Sequence, residues 1–170
     1  MWRSSYFHPI RRTIKHPAKV HAWGCICSSG VGKIFLFTKN LDAKLMVSVY
    51  KKALIPSAAH LFKGSNSDWI LQEDNDPKHK SLLARTWKLQ NNINVLPWPA
   101  CSPDLNPIEN LWKLLKFKVA EHRASNIHQL KKAIKKEWHL LPSDIGKRLV
   151  ASMERRISAI IEAQGDSIFY

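Results

Sequence analysis

The segment LQEDNDPKHK, residues 71–80, places Glu73, Asp74 and Asp76 within four positions of one another. Carboxylates this close repel one another, so either all of them are turn and cap residues in water or one of them binds a cation. Side chains alternate along a strand, so Asp74 is expected on one face and Glu73 on the opposite face. The two neighbouring acids therefore have different candidate roles.

Asp74 is the candidate metal ligand of this cluster. Asp76 stands directly before Pro77, which predicts that it is the N-cap of a helix beginning there. Asp74 has no such local role, and a carboxylate at a strand end is held by a backbone that does not move. The alternative is a polar turn residue, which is the commoner role of an aspartate at this position.

Glu109 is the second candidate ligand. It follows Asn106 by three residues, with Pro107 between them, and this is the spacing of a capping box in which Glu109 would only satisfy the helix terminus. The four prolines within 97–107 favour a metal ligand, because they would hold the start of the helix in one place. Asp104, in the segment SPDLNP, predicts an Asx-type turn.

The hydrophobic pattern predicts the elements that position these carboxylates. Two strands, about 20–28 and 31–38, are joined by a Ser-Ser-Gly turn. Pro56 is expected to end the first helix. Further strands are predicted within 68–75 and 93–98, and helices over 42–55, 76–90, 106–122, 126–140 and 143–163, the last with Leu149, Met153, Ile157 and Ile160 at helical spacing. This order predicts an α/β fold with a mixed sheet flanked by helices, in which sites form at the carboxyl ends of strands.

Length and charge indicate one domain with a polyanionic partner. The chain has 170 residues, 45% of them hydrophobic, and a formal net charge of +14. So large a positive surplus favours nucleic acid over a surface that is merely rich in lysine. The three cysteines lack metal-site or disulfide-framework spacing, no apolar run could span a bilayer and no signal peptide is evident, so a reducing, nuclear or cytosolic location is expected.

Several separate motifs resemble the catalytic core of the Tc-one/mariner superfamily of DDE transposases. WILQEDNDPKH, followed by PWPACSPDLNPIENLWKLLK, is similar to the part of that core that carries its second and third catalytic carboxylates. The 34 residues between Asp74 and Glu109 match the family's spacing of those two acids. HAWGCICSSGVGKI resembles the preceding hairpin, and SMERRISAIIEAQGDSIFY the C-terminal helix and tail, so the resemblance covers nearly the whole chain.

The resemblance implies a single RNase H-like domain over residues 1–170 that cuts and joins DNA by two-metal phosphoryl transfer during transposition and integration. Asp74 and Glu109 would be catalytic and would bind Mg²⁺, or Mn²⁺ as a substitute, with Asn75 and His79 beside the site. The implied partners are transposon ends and target DNA, with a possible homodimer, a nuclear location, no membrane and no small-molecule cofactor. Phosphate contacts are expected from Lys78, Lys80 and Arg85, and also from the lysines at 131, 132, 135 and 136, although each could equally be a solvated surface residue.

The sequence departs from the family pattern at its start. The family's first catalytic Asp lies on a strand before the hairpin, whereas this sequence has no Asp or Glu before Asp42, which is expected to begin a helix. MWRSS resembles the stretch after that strand, so the first strand, its Asp and the family's N-terminal helix-turn-helix region are expected to be missing. A neighbouring acid is not expected to substitute, because Glu73 faces away and Asp76 is a cap.

Two interpretations follow from this departure. The chain is either a fragment of an active transposase catalytic domain, or an inactive relic that acts at most as a basic nucleic-acid-binding module. An unrelated RNase H-like nuclease is a third possibility, which the 34-residue spacing and the proline-rich loop disfavour.

Overall fold

The computed structural model describes residues 19–63, 69–99 and 102–166. Cys101, the MWRSS segment and the last four residues of the C-terminal tail lie outside these ranges. The first described element is a bent antiparallel hairpin with Ser28 and Ser29 in its turn. The outer strands, β1 (His21–Trp23) and β4 (Phe35–Phe37), pair with each other. The inner strands, β2 (Ile26–Cys27) and β3 (Gly30–Val31), form the second pair, next to the turn.

Each of the two predicted hairpin strands is interrupted in the middle. Gly24 lies at the interruption between β1 and β2, where a Cβ atom would come within 2.6 Å of the Trp138 ring. Gly32 lies opposite, and its N–H donates to the carbonyl of Cys25 at 2.8 Å. The hairpin bends here because a helix side chain packs directly against its backbone.

The first helical region runs straight through the proline that was predicted to end it. Asp42 caps α1 (Ala43–Val49), which continues through a π-helical turn, Tyr50–Leu54, into α2 (Ile55–Leu61). The N–H of Ile55 donates to the carbonyl of Tyr50, five residues back. The prediction that Pro56 ends the helix is wrong, because this π-turn lets a residue without an N–H lie at the start of α2.

The segment that carries Asp74 follows a short parallel pair. β5 (Ile70–Leu71) pairs with β6 (Asn94–Val95), and α3 (Leu82–Gln90) connects them. The prediction that this helix begins at Pro77 is wrong. Asp76 closes only a single turn over 77–80, and Ser81 is the N-cap of α3, its hydroxyl accepting from the N–H of Ala84.

Four helices complete the described chain: α4 (Ile108–Glu121), α5 (Ile127–His139), α6 (Ile145–Ala151) and α7 (Met153–Glu162). The single helix predicted over 143–163 is divided at Ser152. The hydroxyl of Ser152 donates to the carbonyl of Leu149 at 2.7 Å, and this side-chain bond competes with the backbone hydrogen bonds of a continuous helix.

Two hydrophobic clusters lie on either side of the hairpin. Trp23 and Phe35 pack on the first cluster, whereas Ile26 and Leu36 pack on the second. The first cluster consists of Met46, Val49, Tyr50, Ala53, Leu54, Leu71, Ala84, Trp87 and Ile93. The second consists of Leu111, Leu115, Ile134, Trp138, Leu141 and Ile145.

The predicted α/β class is confirmed, with small antiparallel and parallel sheets packed among helices. Within the described ranges, no helix is both long enough and apolar enough to cross a membrane. That residues 1–170 form one domain stays a prediction.

Candidate metal centre

Asp74 lies beyond the end of β5 with an exposed carboxylate. Its Oδ1 accepts a hydrogen bond from the N–H of Asp76 at 3.0 Å, which closes an Asx turn. Asp74 thus has a local role, contrary to the expectation from sequence. Oδ2 makes no hydrogen bond within the described ranges, and the side chain is 61% exposed, so a cation in the solvent can reach it.

His79 lies against the same carboxylate. Its Nδ1 is 3.0 Å from Oδ1 of Asp74 and 3.9 Å from Oε2 of Glu73. The alignment with either acid is not that of a hydrogen bond, so Nδ1 is a buried polar atom without a bonded partner among the residues described. The ring thus separates an exposed carboxylate from a buried one.

Glu73 points into the core, as the strand alternation predicted. It accepts a hydrogen bond from the hydroxyl of Tyr50 at 2.7 Å and forms an ion pair with Lys88. Lys88 also donates to the carbonyl of His79 at 3.2 Å. Burial, together with the negative charge and hydrogen bond of Glu73, raises the pKa of Tyr50 far above its ordinary value. This network ties the segment that carries Asp74 to α1 and α3.

Lys88 was missed in the sequence, although a signal for it existed. Ala84, Trp87 and Lys88 are the buried residues of α3 and follow one another at helical spacing. A lysine on the apolar face of a helix needs a buried acid as its partner. The partner is 15 residues away, so the sequence could indicate that an acid was needed without indicating which one.

Glu109 lies in the first turn of α4 with its carboxylate exposed. Its N–H donates to the carbonyl of Asn106 at 3.1 Å, but no side chain caps this helix. Among the described residues, the Glu109 carboxylate has no hydrogen bond and no ion pair. The capping-box alternative is therefore not formed, and the carboxylate remains available to a ligand.

Asp74 and Glu109 line the same cleft, which has a volume of about 360 Å³. His79, Asn106 and Trp112 also line it. Two exposed carboxylates are hard oxygen donors of the type that Mg²⁺ and Mn²⁺ prefer, so the donor chemistry fits a divalent cation. Within the described part of the chain, no three His, Cys, Asp or Glu side chains come together as a metal-binding group.

The predicted basic contacts have different surroundings. Lys78 is paired with Asp76, whose carboxylate lies 3.0 Å from its Nζ. Burial alone would raise the pKa of Asp76, but the hydrogen bonds and charge of Lys78 outweigh it and lower that pKa. Lys80 and Arg85 are exposed and line a second cleft of about 670 Å³ that also includes Asp74. Their contact with DNA stays a prediction.

Asn75 contributes to the wall of this second cleft. Its Nδ2 donates to the carbonyl of Trp98 at 2.9 Å, which fixes the loop after β6 next to Asp74. Asn75 and His79 thus lie beside Asp74 as the resemblance implied, while their functional roles stay predictions.

The loop before α4 turns at Asp104, but the bond from Leu105 to the Asp104 side chain spans one residue, whereas the predicted Asx turn spans two. The carbonyl of Pro103 accepts from the N–H of Asn106 at 3.1 Å, and Oδ1 of Asp104 accepts from the N–H of Leu105 at 3.1 Å. The aspartate therefore stabilises the turn that leads to Glu109.

The model of the family described as DDE superfamily endonuclease matches residues 8–131 of the chain. The chain belongs to this family. Among curated relatives, the transposable element Tc1 transposase of Caenorhabditis elegans is 33% identical over 159 residues, which are 93% of this chain and 57% of the relative. The chain therefore spans little more than half the length of that relative.

Solved structures share the fold of this chain. The catalytic domain of the Mos1 mariner transposase superposes with a TM-score of 0.76 at 18% identity, covering 88% of this chain and 82% of that domain. The mariner Mos1 paired end complex with Mg superposes with a TM-score of 0.72 at 19% identity, covering 99% of this chain and 52% of that one. The predicted RNase H-like fold and the resemblance to Tc1/mariner DDE transposases are confirmed.

Proposed function

We propose that this DDE endonuclease chain is the catalytic domain of a cut-and-paste transposase, which cleaves DNA strands and joins them by metal-dependent phosphoryl transfer. One observation supports the proposal above the others: Asp74 and Glu109, with 34 residues between them in the sequence, line one cleft with exposed carboxylates. Neither carboxylate forms an ion pair with a lysine or arginine in the described chain, and an acid without such a counter-charge can bind a metal cation.

The proposed cofactor is Mg²⁺, with Mn²⁺ as a substitute, held by Asp74 and Glu109. When bound, such a cation polarises the scissile phosphate and activates the attacking oxygen. The chain's own contribution is to orient the two ligands. The Asx turn fixes Oδ1 of Asp74, leaving Oδ2 toward the solvent, and the Tyr50–Glu73–Lys88 network holds the backbone behind it.

The proposed substrate is DNA at the ends of a transposon and at the target. Lys80 and Arg85 lie in the cleft next to Asp74, and the net charge of +14 favours a polyanion. A nuclear location follows from this substrate. A homodimer is also proposed, because cut-and-paste transposition acts on two ends of one element.

Nicking of a supercoiled plasmid tests the proposed activity. We expect relaxation in Mg²⁺ or Mn²⁺, loss of it with EDTA, and a loss of at least about a hundredfold in Glu109→Gln and Asp74→Asn, because each removes a ligand charge without changing shape. Glu121→Gln is the matched control, because Glu121 is an exposed glutamate at the other end of α4.

Each result of the nicking assay decides one question. Equal nicking by the wild-type protein and both cleft variants would show a contaminating nuclease and would exclude this site. Preferential cutting of RNA–DNA hybrids would instead indicate an RNase H-type nuclease.

A DNA-binding module without strand cleavage is the second candidate. It is favoured by the absence of a group of three metal-binding side chains from the described part of the chain. This candidate predicts DNA binding that is insensitive to EDTA and no nicking by the wild-type protein.

A further inference from the structure

Arg156, in α7, is a buried arginine far in sequence from the candidate metal ligands. Its side chain lies in the interior, and the residue is only 2% exposed. A buried guanidinium is costly unless its donors are satisfied, so the partners of such a residue define what it holds together.

Three hydrogen bonds of Arg156 reach three different parts of the chain. Nη1 donates to the carbonyl of Asp104 at 2.8 Å, and Nη2 donates to Oδ1 of Asn110 at 2.7 Å. Nε donates to Oγ of Ser152 at 3.0 Å, within the junction of α6 and α7. One planar group thus joins the C-terminal helices, the proline-rich loop and the first turn of α4.

These bonds bracket Glu109. Asn110 is its direct neighbour, and Asp104 lies in the turn that precedes the helix. The first turn of α4 lacks a side-chain cap, so its position depends on contacts from outside the helix. Arg156 supplies two of these contacts, one on each side of Glu109 along the chain.

We propose that Arg156 is a positioning residue that holds Glu109 in the cleft opposite Asp74. This inference rests on the proposed metal-binding role of Glu109. A lysine could replace the charge of Arg156 but not the fork that bonds Asp104 and Asn110 at once, so the role requires the guanidinium.

The test compares Arg156→Lys and Asn110→Ala with the wild-type protein. Binding of Mn²⁺ is measured by electron paramagnetic resonance. The binding that is lost in Asp74→Asn is assigned to the cleft. We expect the Kd for Mn²⁺ at this site to rise about tenfold in Arg156→Lys and by a smaller factor in Asn110→Ala. Asn110→Ala retains the arginine and its other bonds, so it probes the same contact with less risk to folding.

Amide hydrogen exchange provides a readout that needs no metal. The N–H groups of Asn106 and Glu109 bond to carbonyls within the segment that Arg156 holds. They should exchange about tenfold faster in Arg156→Lys, whereas amides in the middle of α5 should not change, because the loss is a local opening.

His122→Ala is the matched control. His122 lies at the opposite end of α4, where its Nε2 is 2.7 Å from Oε1 of Glu137. Its loss should lower the melting temperature without changing the Mn²⁺ affinity of the folded protein.

Unchanged Mn²⁺ affinity and unchanged exchange in Arg156→Lys would overturn the positioning role. Equal weakening of Mn²⁺ binding by His122→Ala would also overturn it, since the effect would then be general destabilisation. If Asp74→Asn binds Mn²⁺ as tightly as the wild-type protein, the proposed metal site fails instead, and the exchange result alone decides whether Arg156 holds the loop.

Discussion

Glu73 and Asp74 are neighbours with opposite surroundings. The carboxylate of Glu73 is buried against Tyr50 and Lys88, while that of Asp74 is exposed in the cleft. Both residues follow the end of β5, and their contacts hold them apart: Glu73 bonds to Tyr50 and Lys88 in the interior, whereas Asp74 accepts from the N–H of Asp76 at the surface. The buried acid anchors the segment, and the exposed acid is left to bind a ligand.

Breaking the buried ion pair should destabilise the fold. Lys88→Met leaves Glu73 as an uncompensated buried charge, and we expect a loss of about 3–5 kcal/mol in the free energy of unfolding. Combining Lys88→Met with Glu73→Gln should recover part of this loss, because the buried charge is removed as well. Urea unfolding measures both.

Lys80→Met is the control for this pair, since Lys80 is exposed and has no ion pair within the described ranges. It should change stability by less than about 0.5 kcal/mol. A double variant no more stable than Lys88→Met would show that the ion pair is not the source of the effect.

At the level of elements, the hairpin is fixed by close packing against helices. Gly146 in α6 lies so near the turn that an added Cβ would clash with the carbonyl of Cys27 and approach Cα of Gly30 to 2.9 Å. Trp138 in α5 donates from Nε1 to the carbonyl of Gly32 at 2.9 Å. Because the clashing atoms are backbone, they cannot move aside as a side chain can.

Gly146→Ala should therefore destabilise the protein, even though alanine has the higher helix propensity. We expect a loss of about 1–3 kcal/mol in the free energy of unfolding, measured by urea denaturation. Lys147→Ala, an exposed position next to it on α6, should change it by less than about 0.5 kcal/mol. A stabilising effect of Gly146→Ala would mean that α6 does not pack on the hairpin as described.

For the whole molecule, the charge surplus predicts binding that depends on salt. The chain has 27 Lys and Arg against 13 Asp and Glu. Its affinity for DNA should fall steeply as the salt concentration rises, because the release of counterions then contributes less free energy. The position of the basic residues decides which of them contribute. Lys80 and Arg85 lie beside Asp74, whereas the lysines of α5 line neither cleft.

The double variant Lys80→Ala/Arg85→Ala should lower the slope of log affinity against log salt by about two, since each phosphate contact contributes about 0.9. Fluorescence anisotropy with a labelled duplex measures the slope between 50 and 200 mM salt. Lys132→Ala/Lys136→Ala on α5 removes the same charge and should leave the slope unchanged. Equal effects of the two variants would indicate diffuse binding rather than a path through the cleft.

The sequence correctly placed features that depend on local chemistry. The Ser-Ser-Gly turn of the hairpin and the helices predicted over 106–122 and 126–140 follow from residues within a few positions of one another. The start of α3 was misplaced because two capping residues, Asp76 and Ser81, compete within five positions. Pro56 was misjudged because the π-turn that accommodates it depends on packing in the first hydrophobic cluster.

The last helices show the limit of pattern reading most clearly. Ile157 belongs to the predicted apolar stripe and is 48% exposed, whereas its neighbour Arg156 is 2% exposed. Helical periodicity predicts that a charged residue faces the solvent. It contains no information on the carbonyl of Asp104 and the side-chain amide of Asn110, which accept hydrogen bonds from the guanidinium.

The sequence by itself nominated Asp74 and Glu109 as candidate ligands, because the 34 residues between them match the spacing in the family that the chain resembles. It also predicted that Glu73 and Asp74 face opposite ways, and they do, although both lie beyond the end of β5. Only the tertiary structure decided that both acids line one cleft and that Lys88 neutralises Glu73. It likewise decided that Arg156 holds the turn before Glu109. These contacts join residues 15 to 52 positions apart, and at such separations the partner of a buried charge is chosen by the packing of whole elements.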